Sequence, residues 1–150
     1  CLKQIINSEA LREYDESLTE LIVSINSFSY RYGIPQDNSG NGGGFVFDCR
    51  ALPNPGRHPQ FSQFTGKDKP VIDFLKKEEE VTKFINNTYS IIESSINNYK
   101  ERNFTDLMVN FGCTGGRHRS VYFAERIAER IKRNFNIKIK LRHRRLESND

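Results

Sequence analysis

Residues 107–131 read L-M-V-N-F-G-C-T-G-G-R-H-R-S-V-Y-F-A-E-R-I-A-E-R-I, and the change of rhythm inside them constrains the fold more than any other stretch. Leu107 to Phe111 are apolar apart from Asn110 and include the β-branched Val109, which suits a short strand buried on both faces. From Val121, apolar residues recur at Ala124, Ile127, Ala128 and Ile131, the three-and-four spacing that draws one face of a helix. A strand, a nine-residue connection at 112–120 and a helix therefore follow one another.

The connection has the composition of an anion cradle. Gly112, Gly115 and Gly116 permit turns that let successive backbone N–H groups converge, and the helix adds its unpaired N-terminal amides and the positive end of its dipole. Arg117, His118 and Arg119 supply charge or hydrogen bonds, Thr114 and Ser120 hydroxyls. The expected guest is a phosphate. The run from Cys113 through Arg119 to Ser120 also spells C-x5-R-S, which resembles the catalytic loop of cysteine-dependent phosphatases, where a thiolate attacks phosphorus while loop amides and an arginine hold the phosphoryl oxygens. On that alternative Cys113 is the nucleophile, Arg119 holds the phosphoryl group and Asp48 is the general acid.

At 150 residues, one domain with one modest core is expected, and 36% hydrophobic with 28% charged residues is a soluble globular composition without a membrane-length apolar run. An odd cysteine count (Cys1, Cys49, Cys113) argues against a disulfide framework and for a reducing compartment, here read as cytoplasmic. His58, His118 and His143 stand apart, without zinc-ligand spacing, so no metal or other cofactor is expected. The glycines of residues 36–44 lack the G-x-x-x-x-G-K-[ST] pattern, which excludes a Walker-type site there. Charge is uneven: residues 113–150 hold eleven Lys or Arg against four acids, a net of +7, leaving −3 for residues 1–112 of a chain whose total is +4. The last quarter is thus an electropositive surface suited to phosphate-rich partners.

Residues 8–19 read as a short exposed helix, so residues 1–19 are assigned as a linker or short helix from an upstream domain and 20–150 as a single α/β phosphate-sensing domain. Strands are expected at 20–30, at 45–50 with an imperfect alternation that allows an end near Asp48, and, from the strict alternation I-K-I-K-L, at 137–141, which delivers Arg142, His143, Arg144 and Arg145 at its end. Helices are expected from Lys69 and Pro70, with Asp68 as N-cap, and from Glu78 to Arg102. A 45–50 strand parallel to 107–111 brings Asp48, Arg50 and Asn54 to the crevice beside the anion loop, because open α/β sheets collect ligands at the carboxyl ends of their strands. A surface ion pair between Asp48 and an arginine is the plainer alternative. The fold class is α/β: a small mixed or parallel sheet flanked by helices.

Five ordered blocks carry a more specific likeness. They are S-F-S-Y-R-Y-G-I-P at 27–35, V-F-D-C-R-A-L-P-N-P at 46–55, T-G-K-D-K-P-V at 65–71, residues 112–122, and R-H-R at 142–144. Together they resemble the C-terminal domain of the RapZ (RNase adapter protein) family. The resemblance implies an α/β unit similar to a phosphofructokinase subdomain, attached in that family to an N-terminal nucleotide-binding domain. It also implies a non-catalytic regulatory role: sensing an amino-sugar phosphate such as glucosamine-6-phosphate and presenting a basic surface to RNA or another partner. Carried onto this chain, Asp48, Cys113, Thr114, Gly115, His118 and Arg119 match the sugar-phosphate pocket, joined by Arg50, Asn54, Gly116, Arg117 and Ser120 from the crevice. Lys138, Lys140, Arg142 and Arg144, with Arg145, match the RNA surface. Gly56 stands where the family pattern has a pocket histidine. A homo-oligomerisation module of a larger protein is the third reading.

Overall fold

A computed structural model describes residues 20–147; the helix expected at 8–19 lies outside the described residues. Strands β1 (Ile22–Ser29), β2 (Phe45–Asp48), β3 (Asp106–Cys113) and β4 (Lys138–His143) form one sheet in the order β2-β3-β1-β4, with every neighbouring pair parallel. The helices are α1 (Lys69–Lys76), α2 (Glu79–Glu101) and α3 (Arg119–Asn134). Short 3-10 turns occupy Pro55–Arg57 and Pro59–Phe61, and a last helical turn spans Arg144–Glu147.

Alternation along the strands sorts their side chains onto two faces. Val23 and Ile25 of β1 and Val109 and Phe111 of β3 join one apolar cluster with Leu75 of α1, Ile92 of α2 and Phe123 and Ile127 of α3. Each such side chain, fully buried, contributes about 1.5–3 kcal/mol. The alternate residues, Ser24, Asn26, Asn110, Lys140 and Arg142, point the other way, where residues 36–39 of the β1–β2 connection fold against the sheet. A parallel sheet is ordinarily covered by helices on both faces. Among the described residues, the three longer helices cover only one face of this one.

The strand order places the loop between β3 and α3. From β1 the chain leads outward to β2 on one side, whereas from β3 it passes through α3 to β4 on the other. The carboxyl ends of β1 and β3, hydrogen-bonded neighbours, are therefore the point at which the winding reverses, where open α/β sheets bind ligands.

Several boundaries have local causes. The end of β2 at Asp48 agrees with the imperfect alternation of residues 45–50: the Asp48 carboxylate accepts the Arg50 backbone N–H at 2.9 Å and turns the chain. Helix α3 begins at Arg119, two residues before its apolar stripe, so Arg119 and Ser120 belong to its first turn. Asp68 stands at the N-cap of α1 but caps nothing with its side chain, which accepts from the Thr65 N–H at 2.7 Å instead. Strand β4 runs on to His143, and Arg144 and Arg145 lie in the helical turn beyond it.

Candidate functional site

The loop after β3 is held from three sides. Ser29 Oγ, at the end of β1, donates to the Thr114 carbonyl at 2.5 Å, and Gly66 N–H donates to the Arg117 carbonyl at 2.9 Å. Gly116 has φ +73°, a left-handed conformation, and a Cβ there would lie 2.9 Å from the Ser29 nitrogen and 2.6 Å from Arg145 Cγ. Gly66 packs against the start of α3 so closely that a Cβ would strike the His118 carbonyl and the Tyr122 nitrogen. Only glycine serves at both positions. The amides of Gly115, Arg117 and His118 have no hydrogen-bond partner among the described residues.

Cys113 lies beneath this loop, 2% exposed. Its sulfur accepts from Gly116 N at 3.3 Å and Ser120 N at 3.5 Å, and lies 3.1 Å from Ser120 Oγ. Two of the amides expected to face a guest are thus turned inward to sulfur. Cys49, at the end of β2, is also buried, and burial first, then the neighbouring Cys113, pushes its thiol well above the ordinary value. Both described cysteines are free.

Arg119 enters from the first turn of α3 and is 4% exposed. Its Nη1 donates to the carbonyls of Arg50 at 2.7 Å and Leu52 at 3.0 Å, fastening the turn after β2 to the helix. Its Nε is buried without a hydrogen-bond partner among the described residues. The crevice residues beside it are largely committed to one another. Asp48 forms a two-point pair with Arg50, Nε to Oδ1 at 2.9 Å and Nη2 to Oδ2 at 2.8 Å, and the Arg50 guanidinium lies over the Tyr30 ring at 3.8 Å. Hydrogen bonding from Arg50, aided by the charges of Arg50 and Arg119, holds the Asp48 carboxyl below its usual value despite some burial. A carboxyl so held is ionised at neutral pH, which is the wrong state for a general acid. Asn54 caps its own 3-10 turn, accepting from Gly56 N at 2.9 Å.

His118 precedes α3 and is half-buried. Its Nε2 lies 3.1 Å from the Phe61 carbonyl, so Nε2 carries a hydrogen and Nδ1 is the ring nitrogen left for another partner. That nitrogen faces Gly56, where a Cβ would lie 3.6 Å away. The glycine in place of the expected histidine therefore leaves space directly beside His118.

The basic residues divide by parity along β4. Lys138, Lys140 and Arg142 project from the helix-free face, Arg142 paired to Glu147 at 2.7 Å. Arg144 Nε donates to Asn26 Oδ1 at 3.2 Å, and the Arg145 guanidinium lies over the Tyr32 ring at 3.7 Å. His143 turns inward, contrary to the expectation that it ends the strand among the arginines. Its Nδ1 lies 2.7 Å from Ser27 Oγ and its Nε2 2.7 Å from Glu125 Oε1. Although this spells a Ser–His–carboxylate relay, Ser27 is wholly buried beneath α3, so the trio ties β1, β4 and α3 together and meets no substrate.

Sequence reasoning missed Ser29, Tyr30, Tyr32 and Phe61, which shape the site by a loop anchor, two arginine-stacked rings and a histidine acceptor. The first three lie in a block singled out for its likeness, where two tyrosines flank an arginine.

An α/β domain with a glycine-rich loop at its switch point is the class these features define. The profile of the RapZ C-terminal domain matches residues 21–147, and the chain belongs to that family. It is 40% identical over 129 residues to a nucleotide-binding protein of Clostridium botulinum, covering 86% of this chain and 42% of the relative. It is 41% identical over 128 residues to one from Mannheimia succiniciproducens, covering 85% and 42%. With one from Actinobacillus succinogenes it shares 39% identity over 142 residues, covering 93% and 47%. The chain thus spans less than half the length of these relatives. No described helix is long and apolar enough to cross a membrane.

Proposed function

We propose that this chain is a non-catalytic regulatory domain that holds a phosphorylated small molecule, an amino-sugar phosphate such as glucosamine-6-phosphate, at residues 112–120 and turns its basic face toward RNA or another partner. The observation that carries the reading is Arg119: a buried guanidinium with an unpartnered Nε, at the switch point of the sheet, on the residue that directly follows the loop with the uncommitted amides of Gly115, Arg117 and His118. A phosphate oxygen cluster is the complement of such donors. His118 Nδ1, facing the space at Gly56, is an acceptor, in the neutral ring, for a sugar hydroxyl or ammonium group. Two free buried cysteines suit a reducing, cytoplasmic setting.

Calorimetric titration with glucosamine-6-phosphate tests the first half: one saturable site is expected, weakened about tenfold in His118→Ala by loss of one good hydrogen bond. Absence of heat at millimolar ligand and low salt would end the reading. Titration of small RNAs across salt tests the second half; steeply salt-dependent binding is expected, reduced in Lys138→Gln. The phosphatase alternative is favoured by one observation, the 3.1 Å contact between Cys113 Sγ and Ser120 Oγ beneath the loop. It is opposed by the ionised Asp48 and by the burial of the Cys113 sulfur, 2% exposed and taken up by the Gly116 and Ser120 amides. Turnover of an aryl phosphate, abolished in Cys113→Ser, would reverse that judgement.

A further inference from the structure

A cavity of about 270 Å³ lies on the helix-free face of the sheet, away from residues 112–120. Its floor is Ser24 and Asn26 of β1 with Met108 of β3, one wall is Lys140 and Arg142 with Arg144, and the opposite wall is residues 36–39. We propose that this cavity binds a small anion carrying two or more phosphate or carboxylate groups.

Three observations combine. First, three cations stand together on one wall. Arg142 is offset by Glu147 at 2.7 Å, but Lys140 and Arg144 have no ion-pair partner among the described residues. Two carboxylates also line the cavity and keep their charge, but their oxygens are turned to neutral donors: Asp37 accepts from Ser39 N at 2.9 Å, Ser39 Oγ at 2.8 Å and Gly43 N at 3.1 Å, and Asp106 accepts from Thr105 Oγ1 at 2.8 Å. Second, the charge is preorganised. Arg144 Nε donates to Asn26 Oδ1 at 3.2 Å, Asn26 Nδ2 donates to Asn110 Oδ1 at 3.1 Å, and Asn110 Nδ2 donates to the Phe45 carbonyl at 3.0 Å. This chain of hydrogen bonds crosses from the end of β4 to β2 and fixes the guanidinium before any guest arrives, which lowers the ordering cost of binding. Burial, then the like charge of Arg142, lowers the pKa of Arg144, a tension that an incoming anion relieves. Third, the volume is sufficient. It falls just below the range of about 300–1,000 Å³ usual for drug-sized ligands, which is room for a compact polyanion.

The site stands independently of the loop reading, and one experiment separates them. The ¹⁵N-labelled chain is titrated with pyrophosphate while backbone amides are followed by NMR. Saturable shifts are expected at Ser24, Asn26, Ser39 and Lys140, with affinity about tenfold lower in Lys140→Gln and retained in Lys140→Arg, as for one lost charge-assisted contact. Shifts confined to residues 112–120, or shifts at the cavity that never saturate, would overturn the proposal, as would equal affinity in Lys140→Gln. If a short oligoribonucleotide moves the cavity amides and pyrophosphate does not, the small-anion site is likewise withdrawn.

Discussion

The two faces of the sheet are built from the same strands yet obey different rules. Toward the helices, Val23, Ile25, Val109 and Phe111 form a dry core in which every contact is non-directional. Toward the β1–β2 connection, at the neighbouring positions, Asn26 and Asn110 are also buried, but each is satisfied by hydrogen bonds. Burial alone does not distinguish the faces. What distinguishes them is that the polar face must keep its geometry to avoid orphaned donors, and geometry that cannot drift is what a binding surface needs.

That contrast can be broken or sharpened by substitution. Phe111, wholly buried and stacked on Phe47 at 5.4 Å, should lose the most: Phe111→Ala is expected to cost about 3–5 kcal/mol in urea unfolding. On the other face, Asn110→Ala strands the Asn26 amide and the Phe45 carbonyl and is expected to cost about 1–3 kcal/mol. A neutral result would show that the ladder stabilises nothing, and the contrast would fail. Asp48→Asn should act through pH. Because hydrogen bonding to Arg50 lowers the folded pKa of Asp48, its contribution is complete at neutral pH and lost as pH falls through that lowered value. Wild type and variant should therefore differ slightly in thermal stability at pH 7 and converge in acid. Smallest of all, Lys140→Gln, an exposed change, should stay within about 0.5 kcal/mol of wild type in stability.

How much of this was legible follows from which signals are periodic. The sheet strands, the two long helices and the loop between β3 and α3 announced themselves by alternation or three-and-four spacing. Arg119 and Ser120 did not read as helical, since first-turn residues carry no apolar stripe and their chemistry suggested a loop. His143 was readable in principle: the alternation of Ile137, Ile139 and Leu141 continues to position 143 and predicts the core side, where it lies. The cluster of arginines around it drew the reading outward. The commitment of Arg119 to the Arg50 and Leu52 carbonyls was invisible, because backbone acceptors from a distant turn leave no mark in composition. So was the bare face. Nothing in a single strand's sequence says whether a second helical layer is present.

The strand order has an outcome at its margins. The outermost strands are β2, only four residues long and followed within a few positions by Pro53 and Pro55, and β4, studded with lysine and arginine. Brevity on one flank and positive charge on the other make both poor templates for a fifth strand. Among the described residues, the faces and helices are therefore better suited than the sheet edges to meet another chain.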